Sequence, residues 1–315
     1  MVKNIFLLGL FLLSLNNCKD VKADVVTDVV ADKNDTIVPE SKFKISLAQW
    51  SFNKELKGGE LDNLEFAGKA AEIGATGIEY VNQFFHDKAE DHDYLDKMNK
   101  AAADAGVEQL LIMIDNEGDL GDPDVDRRNE SVENHKKWVD AAAYLGCHSI
   151  RVNAFGVGTA EEVGAAATDA LGKLSTYGAS KNINVIVENH GSYSSDGKWL
   201  TRVIEGVGMD NCGTLPDFGN FCVKRKGGGQ WDGECIDEYD RYVGVEEMMP
   251  YAKGVSAKSH DFDADGNETN TDFKRMIEIV KASGYSGYIG IEYEGSVLGA
   301  EEGVIATRKL LERYL

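Results

Sequence analysis

From residue 44 onward one cadence recurs through the chain: a short apolar strand, a polar loop, an amphipathic helix and often a glycine. The strands read KISLAQW, TGIEYV, EQLLIMI, HSIRVNA, NVIVEN, CGTLPDF, GVSAKSH and YIGIEYE. Between them, LDNLEFAGKAAEIG, DYLDKMNKAAADAG and ESVENHKKWVDAAAYLG carry apolar residues at three- and four-residue spacing and close on a glycine suited to a left-handed cap. The segment GAEEGVIATRKLLERYL supplies a last helix after the eighth strand. Eight such units in about 270 residues predict an α/β fold, a single (β/α)8 barrel. A doubly wound open sheet would carry a glycine-rich phosphate loop after its first strand, and none follows ISLAQW. GVGTAEEVG, after the fourth strand, has spaced glycines without the dinucleotide fingerprint.

The barrel is assigned to residues 43–315, and two segments precede it. Residues 1–18, MVKNIFLLGLFLLSLNNC, have an early lysine, an apolar stretch and a cysteine, in the manner of a signal peptide. Ending on Cys18, the segment resembles a bacterial lipoprotein leader, which implies that Cys18 is lipidated and anchors an exported protein in the cell envelope, periplasmic or outer-membrane associated. A plain secretory signal with an incidental Cys18 is the alternative. Residues 19–42 are rich in Asp and lack aromatics, which reads as a flexible acidic linker. The formal net charge of −21 argues against nucleic acid as a partner, because phosphate binding needs a basic surface. In an exported chain a disulfide is permitted, and Cys222 with Cys235 would close one loop, whereas Cys147 and Cys212 read as free core thiols.

In such a barrel the chemistry sits at the C-terminal strand ends. The fourth strand ends in Arg151 and Asn153, the fifth in Glu188, Asn189 and His190, the sixth in Asp217 and Asn220. The seventh runs Ser256, Lys258, His260, and the eighth ends in Glu292 and Glu294. Alternation puts Glu188 with His190, Lys258 with His260, and Glu292 with Glu294 on common faces. A lone strand-end glutamate is usually solvated or ion-paired. Five consecutive strands ending in acids, bases and imidazoles predict a site instead. Carboxylates crowded at one mouth repel unless a cation sits between them, and such donors suit Mn²⁺, Mg²⁺, Co²⁺ or Zn²⁺.

Other groups have weaker claims. Gln49, Trp50 and Phe52 offer an aromatic sugar platform at the first strand end, although Trp50 fits the core equally well. Glu79 and Asp115 also lie at strand ends. DFDADGNETNTD, residues 261–272, has the spacing of a calcium loop but ends in Asp272 and follows a strand, so it reads as an acidic turn. The insertion CVKRKGGGQWDGECIDEYDRY reads equally as a lid, with Lys224, Arg225 or Trp231 on the substrate, or as a surface excursion pinned by a disulfide.

NVIVENHG, TLPDFGNF, AKSHDFDADG and GYIGIEYEG make the chain, from about residue 44 to its end, resemble the sugar isomerase/epimerase superfamily of xylose-isomerase-like barrels, which includes ketose 3-epimerases. The resemblance implies one divalent metal, Mn²⁺ as first choice, held by Glu188, Asp217, a seventh-strand residue and Glu292, with the two glutamates as the proton-transfer pair. Relatives read His-x-Lys on the seventh strand, and that histidine position is Ser256 here. His260, on the same face, is therefore the expected fourth ligand; three carboxylates with water are the alternative. Some epimerases carry a histidine where this chain has Asn220. Lys258 is assigned to catalysis, and Arg151, Asn153, His190, Asn220, Trp50 and Glu294 to binding a small carbohydrate. The implied activity is metal-dependent sugar isomerisation or epimerisation through an enediolate. A lyase or hydratase acting on a keto-sugar or keto-glycoside would use the same site, and a tethered carbohydrate-binding protein without catalysis is the alternative of another class. Self-association is left open.

Overall fold

The computed structural model describes residues 43–315. The leader, the linker and Cys18 lie outside the described residues. The described residues contain ten strands: β1 (Phe43–Ala48), β2 (Gly77–Val81), β3 (Glu108–Met113), β4 (Ser149–Val152), β5 (Asn184–Glu188), β6 (Cys212–Leu215), β7 (Cys222–Arg225), β8 (Cys235–Glu238), β9 (Val255–Ser259) and β10 (Gly287–Tyr293). All eight strands expected from the apolar runs are among them. They form one parallel sheet in the order β6-β5-β4-β3-β2-β1-β10-β9. The sheet curls until its edges meet through parallel bridges, Thr214 to Ala252 and Asp217 to Ser256. That seam is thin because Pro216 interrupts β6: it has no N–H to give and only accepts, from the Ser256 amide at 2.9 Å.

Helices such as Val125–Tyr144, Ala160–Ala179 and Ala300–Tyr314 follow the strands and cover the sheet. Asp91, Asp124, Asp196, Asp240 and Asp272 each accept backbone N–H bonds at a helix start, and Thr159 forms a reciprocal capping box with Glu162. Part of the negative charge thus serves the positive ends of helices. The main core, with Trp138, Phe66 and Leu171 fully buried, lies between sheet and helices. A smaller apolar plug of Ala48, Val81, Leu111, Met113, Ile186 and Leu215 fills the barrel interior.

The insertion after β6 is an antiparallel hairpin, β7 with β8, tied by a Cys222–Cys235 disulfide, while Cys147 and Cys212 are free and buried. The 261–272 segment is an acidic turn. Asp263 accepts the amides of Asp265 and Asn267, and Asp261 accepts those of Ser296 and Val297.

Candidate active site

Glu188 closes β5, Glu292 is the penultimate residue of β10, and Asp217 follows the proline that ends β6. The two-residue period of the strands turns all three inward at one level, just above the apolar plug. Each is at most 4% exposed. Each offers a carboxylate oxygen, and these oxygens lie within 4.8 Å of one another. Burial pushes all three carboxyls above the usual carboxylate range, against the pull of Lys258 on the set and of Arg151 on Glu188.

The neighbours hold the trio in place. Ser256 Oγ lies 2.6 Å from Asp217 Oδ2 and 3.2 Å from Glu292 Oε2. The amides of Gly219 and Asn220 donate to Asp217 Oδ1 at 2.8 and 2.9 Å, and Asn189 Oδ1 accepts the Asp217 amide at 2.7 Å. Asn220 Nδ2 donates to Glu188 Oε1 at 2.9 Å. Glu188 Oε2 is buried and accepts no hydrogen bond, although Arg151 Nε approaches to 2.9 Å as an ion contact. One carboxylate oxygen is therefore left facing charge alone.

Two buried cations flank the acids. Arg151 also donates to Asp115 Oδ1 at 2.8 Å. Burial would raise Asp115, but Arg151 outweighs it and holds that carboxyl well below the usual range. Lys258 Nζ stands 3.3 Å from Glu292 Oε1 and 3.0 Å from Glu294 Oε1. Despite burial it stays charged, and it lowers Glu294 to about 2. His190 Nδ1 lies 2.8 Å from Asn153 Oδ1, an oxygen that can only accept, so the ring proton sits on Nδ1 and Nε2 is an acceptor. Burial, with Arg151 and Lys258 nearby, lowers His190 to about 3, which keeps the ring neutral.

Of these groups Glu292, Lys258, Arg151, Asp115, Asn153 and His190 line a cavity of about 650 Å³ together with Trp50, while Glu188 and Asp217 are not among its lining residues. Trp50 packs against Phe84 with Lys57 Nζ 4.2 Å above its ring. Gln49 and Phe52 turn away into the core, where Gln49 bonds Asn63 and the Val81 amide. His260 lines the cavity at its rim, 3.9 Å from Glu268, and is not among the groups whose ligand atoms converge. Ser256 fills the place beside the trio. Glu79 lies one layer lower: Ser46 Oγ donates to it at 2.6 Å, and burial pushes it up to about 7. It fits because residue 290 is glycine, where a Cβ would fall 2.2 Å from Glu79 Oε1.

Sequence reasoning missed His135 and Phe155, which line the same cavity from a helix and a loop, whereas Trp231 and Arg225, named in the insertion as substrate contacts of a lid, line it as well. His135 Nδ1 lies 2.7 Å from the Ser131 carbonyl, so its Nε2 is the acceptor. Trp231 carries a signal, since it is the one aromatic in the glycine-rich tip of the insertion.

A family model described as a xylose isomerase-like TIM barrel matches residues 67–314. No curated protein matches the chain. Among solved structures, the chain is similar to the 3-keto-D-glucoside 4-epimerase YcjR from E. coli, with TM-score 0.63 and 14% identity over 87% of this chain and 100% of that one. It is similar to an L-ribulose 3-epimerase with TM-score 0.65 and 15% identity, over 86% of this chain and 94% of that one. The IOLI protein, solved with a bound zinc atom, aligns with TM-score 0.66 and 16% identity over 86% and 99% of the two chains. At such identities the likeness is one of fold.

Proposed function

The chain belongs to the xylose isomerase-like TIM barrel family, and we propose that it is a metal-dependent isomerase or epimerase acting on a small carbohydrate. The observation that carries this reading is the buried trio of Glu188, Asp217 and Glu292 at the strand ends. Three hard oxygen donors, one of them without a hydrogen bond, fit a divalent cation, with Mn²⁺ as first choice and Mg²⁺, Co²⁺ and Zn²⁺ as alternatives. When bound, the ion supplies Lewis-acid stabilisation of negative charge developing on substrate oxygens.

The chain's own residues do the rest. Glu188 and Glu292 reach the substrate from different strands, so one takes the proton beside the carbonyl and the other returns it from the opposite face. Arg151 and Lys258 offset the charge of the enediolate. Asn220 orients Glu188, and the acceptor nitrogen of His190 accepts a hydrogen bond from a sugar hydroxyl. A lyase or hydratase outcome begins with the same proton removal. Its support is Asn220, a neutral amide beside Glu188 that offers no second proton relay.

A panel of sugars and keto-sugars incubated with Mn²⁺ in D2O and followed by NMR tests the reading. Deuterium should enter at the carbon beside the carbonyl, with an epimer, ketose or aldose as product. An unsaturated or hydrated product selects the lyase. Binding without any exchange leaves only a carbohydrate-binding protein. We further propose that Cys18 anchors the enzyme at the cell envelope: Cys18→Ser should move it from the membrane to the soluble fraction.

A further inference from the structure

Beside the carboxylate cavity lies a second one, of about 490 Å³. Asp119, Phe155, Arg225 and Gln230 line both. The outer cavity is bordered by Gly156, Val157 and Tyr193, from the loops after β4 and β5, and by the hairpin β7–β8. Each cavity exceeds the roughly 300 Å³ at which ligand sites begin, so the pair is larger than one small ring requires.

The hairpin is built to hold its position. The Cys222–Cys235 bond closes it, and Arg225 donates to the carbonyls of Gln230 and Gly233 across its tip. This places Trp231, 49% exposed, on the His190 ring at 4.6 Å between centroids and edge-on to Phe155 at 5.9 Å. Gly191, beside the indole, has φ 93°, the left-handed region that favours glycine. The aromatic wall thus joins the outer cavity to His190 and, through Asn153 and Asp115, to Arg151 and Glu188. The cations of the outer cavity, Lys224 and Arg225, are matched by Asp119 and Asp237, a balance suited to a neutral, hydroxyl-rich ligand rather than a phosphate.

We propose that the outer cavity is a second sugar subsite and that the substrate is a glycoside of at least two rings. The reacting ring lies over Glu188, Asp217 and Glu292, and the next ring lies against Phe155 and Tyr193, its hydroxyls met by Asp119, Asp237 and Gln230. Apolar ring faces and paired polar groups are what a sugar offers for such a wall. A covalently closed hairpin keeps the subsite formed before binding, which lowers the ordering cost. This deepens the isomerase or epimerase reading and rests on its placement of the reacting ring.

Calorimetry of the mature protein with Mn²⁺ tests it, using glucose, galactose and mannose against a panel of their disaccharides with differing linkages. At least one disaccharide should bind tenfold or more tighter than its monosaccharide. Val157→Trp, which fills the outer cavity from a position 88% exposed, and Lys224→Ala, on the hairpin, should each cut that advantage to threefold or less. Thermal unfolding of both variants verifies that they fold. The proposal is overturned if no disaccharide gains tenfold, or if the gain survives both substitutions. Should the gain follow the outer cavity while no panel sugar or its keto form exchanges deuterium, the subsite stands and the catalytic reading fails.

Discussion

Ser256 Oγ lies 2.6 Å from Asp217 Oδ2, at the position where the resemblance places a histidine. A hydroxyl there orients Asp217 from beside the trio, and a carboxylate that a metal is to use gains from such a fixed partner. Ser256→Ala should therefore weaken Mn²⁺ binding by about tenfold, within the range known for such supporting contacts. Asp217→Asn should weaken it further, because a neutral oxygen is a poorer donor to a hard cation. Titration calorimetry or Mn²⁺ EPR reads both. Equal affinity in wild type and Asp217→Asn would remove Asp217 from the metal set.

Glu188 is held on one side by Asn220 and on the other by Arg151, which fixes its carboxylate in place. Glu188→Gln keeps the shape and should slow solvent-deuterium exchange at the substrate by at least about a hundredfold. His190→Ala should raise KM more than it lowers kcat, because the neutral imidazole is assigned to holding a hydroxyl. Wild-type exchange in Glu188→Gln would make Glu188 a structural carboxylate only.

The barrel was readable because a strand buried on both faces needs an apolar run, and eight such runs separated by helical spacing leave few other folds. The polar strand ends were readable for the same reason: Glu188, Asp217 and Glu292 interrupt apolar runs, and burial punishes an unpaired carboxylate. Facing alone did not reveal height. His260 shares a face with Lys258 yet sits at the rim, near Glu268, because β9 ends at Ser259 and the chain turns outward there. His135 and Phe155 reach the cavity from a helix and a loop, whose approach depends on tertiary packing and leaves no period in the sequence. The disulfide could be named only as permitted, since proximity of Cys222 and Cys235 follows from the hairpin.

Asp115 is the second carboxylate on Arg151. Its proton affinity is lower in the folded state than the ordinary 3.8, so its contribution to stability is present above that pH and is lost as pH falls below it. Asp115→Asn should lower stability at pH 7 by about 1–3 kcal/mol, less than for a fully broken buried pair because Glu188 stays on the guanidinium. The gap to wild type should narrow as pH drops through 4 and below. Chemical denaturation at a series of pH values measures this, and a gap independent of pH would show that the charge of Asp115 is not what stabilises the fold.

Glu79 predicts the opposite sign. It is 3% exposed, its Oε2 has no hydrogen-bond partner, and burial raises it from 4.5 to about 7. Below the unfolded value both states hold the proton, and Glu79 costs nothing in ionisation. As pH rises from 4.5 to 7 the unfolded chain releases its proton while the folded one retains it, so folding becomes progressively less favourable, up to about 3 kcal/mol. Glu79→Gln removes the ionisation and keeps an oxygen to accept from Ser46. The variant should thus gain stability relative to wild type at pH 8, and the gain should shrink toward pH 4. Urea unfolding at both pH values reads the difference directly. A Glu79→Gln protein that gains nothing at pH 8 relative to pH 4 would mean that the buried carboxyl ionises as readily as in water, through solvent entering from the lower end of the barrel, where Glu79 borders a cavity of about 250 Å³.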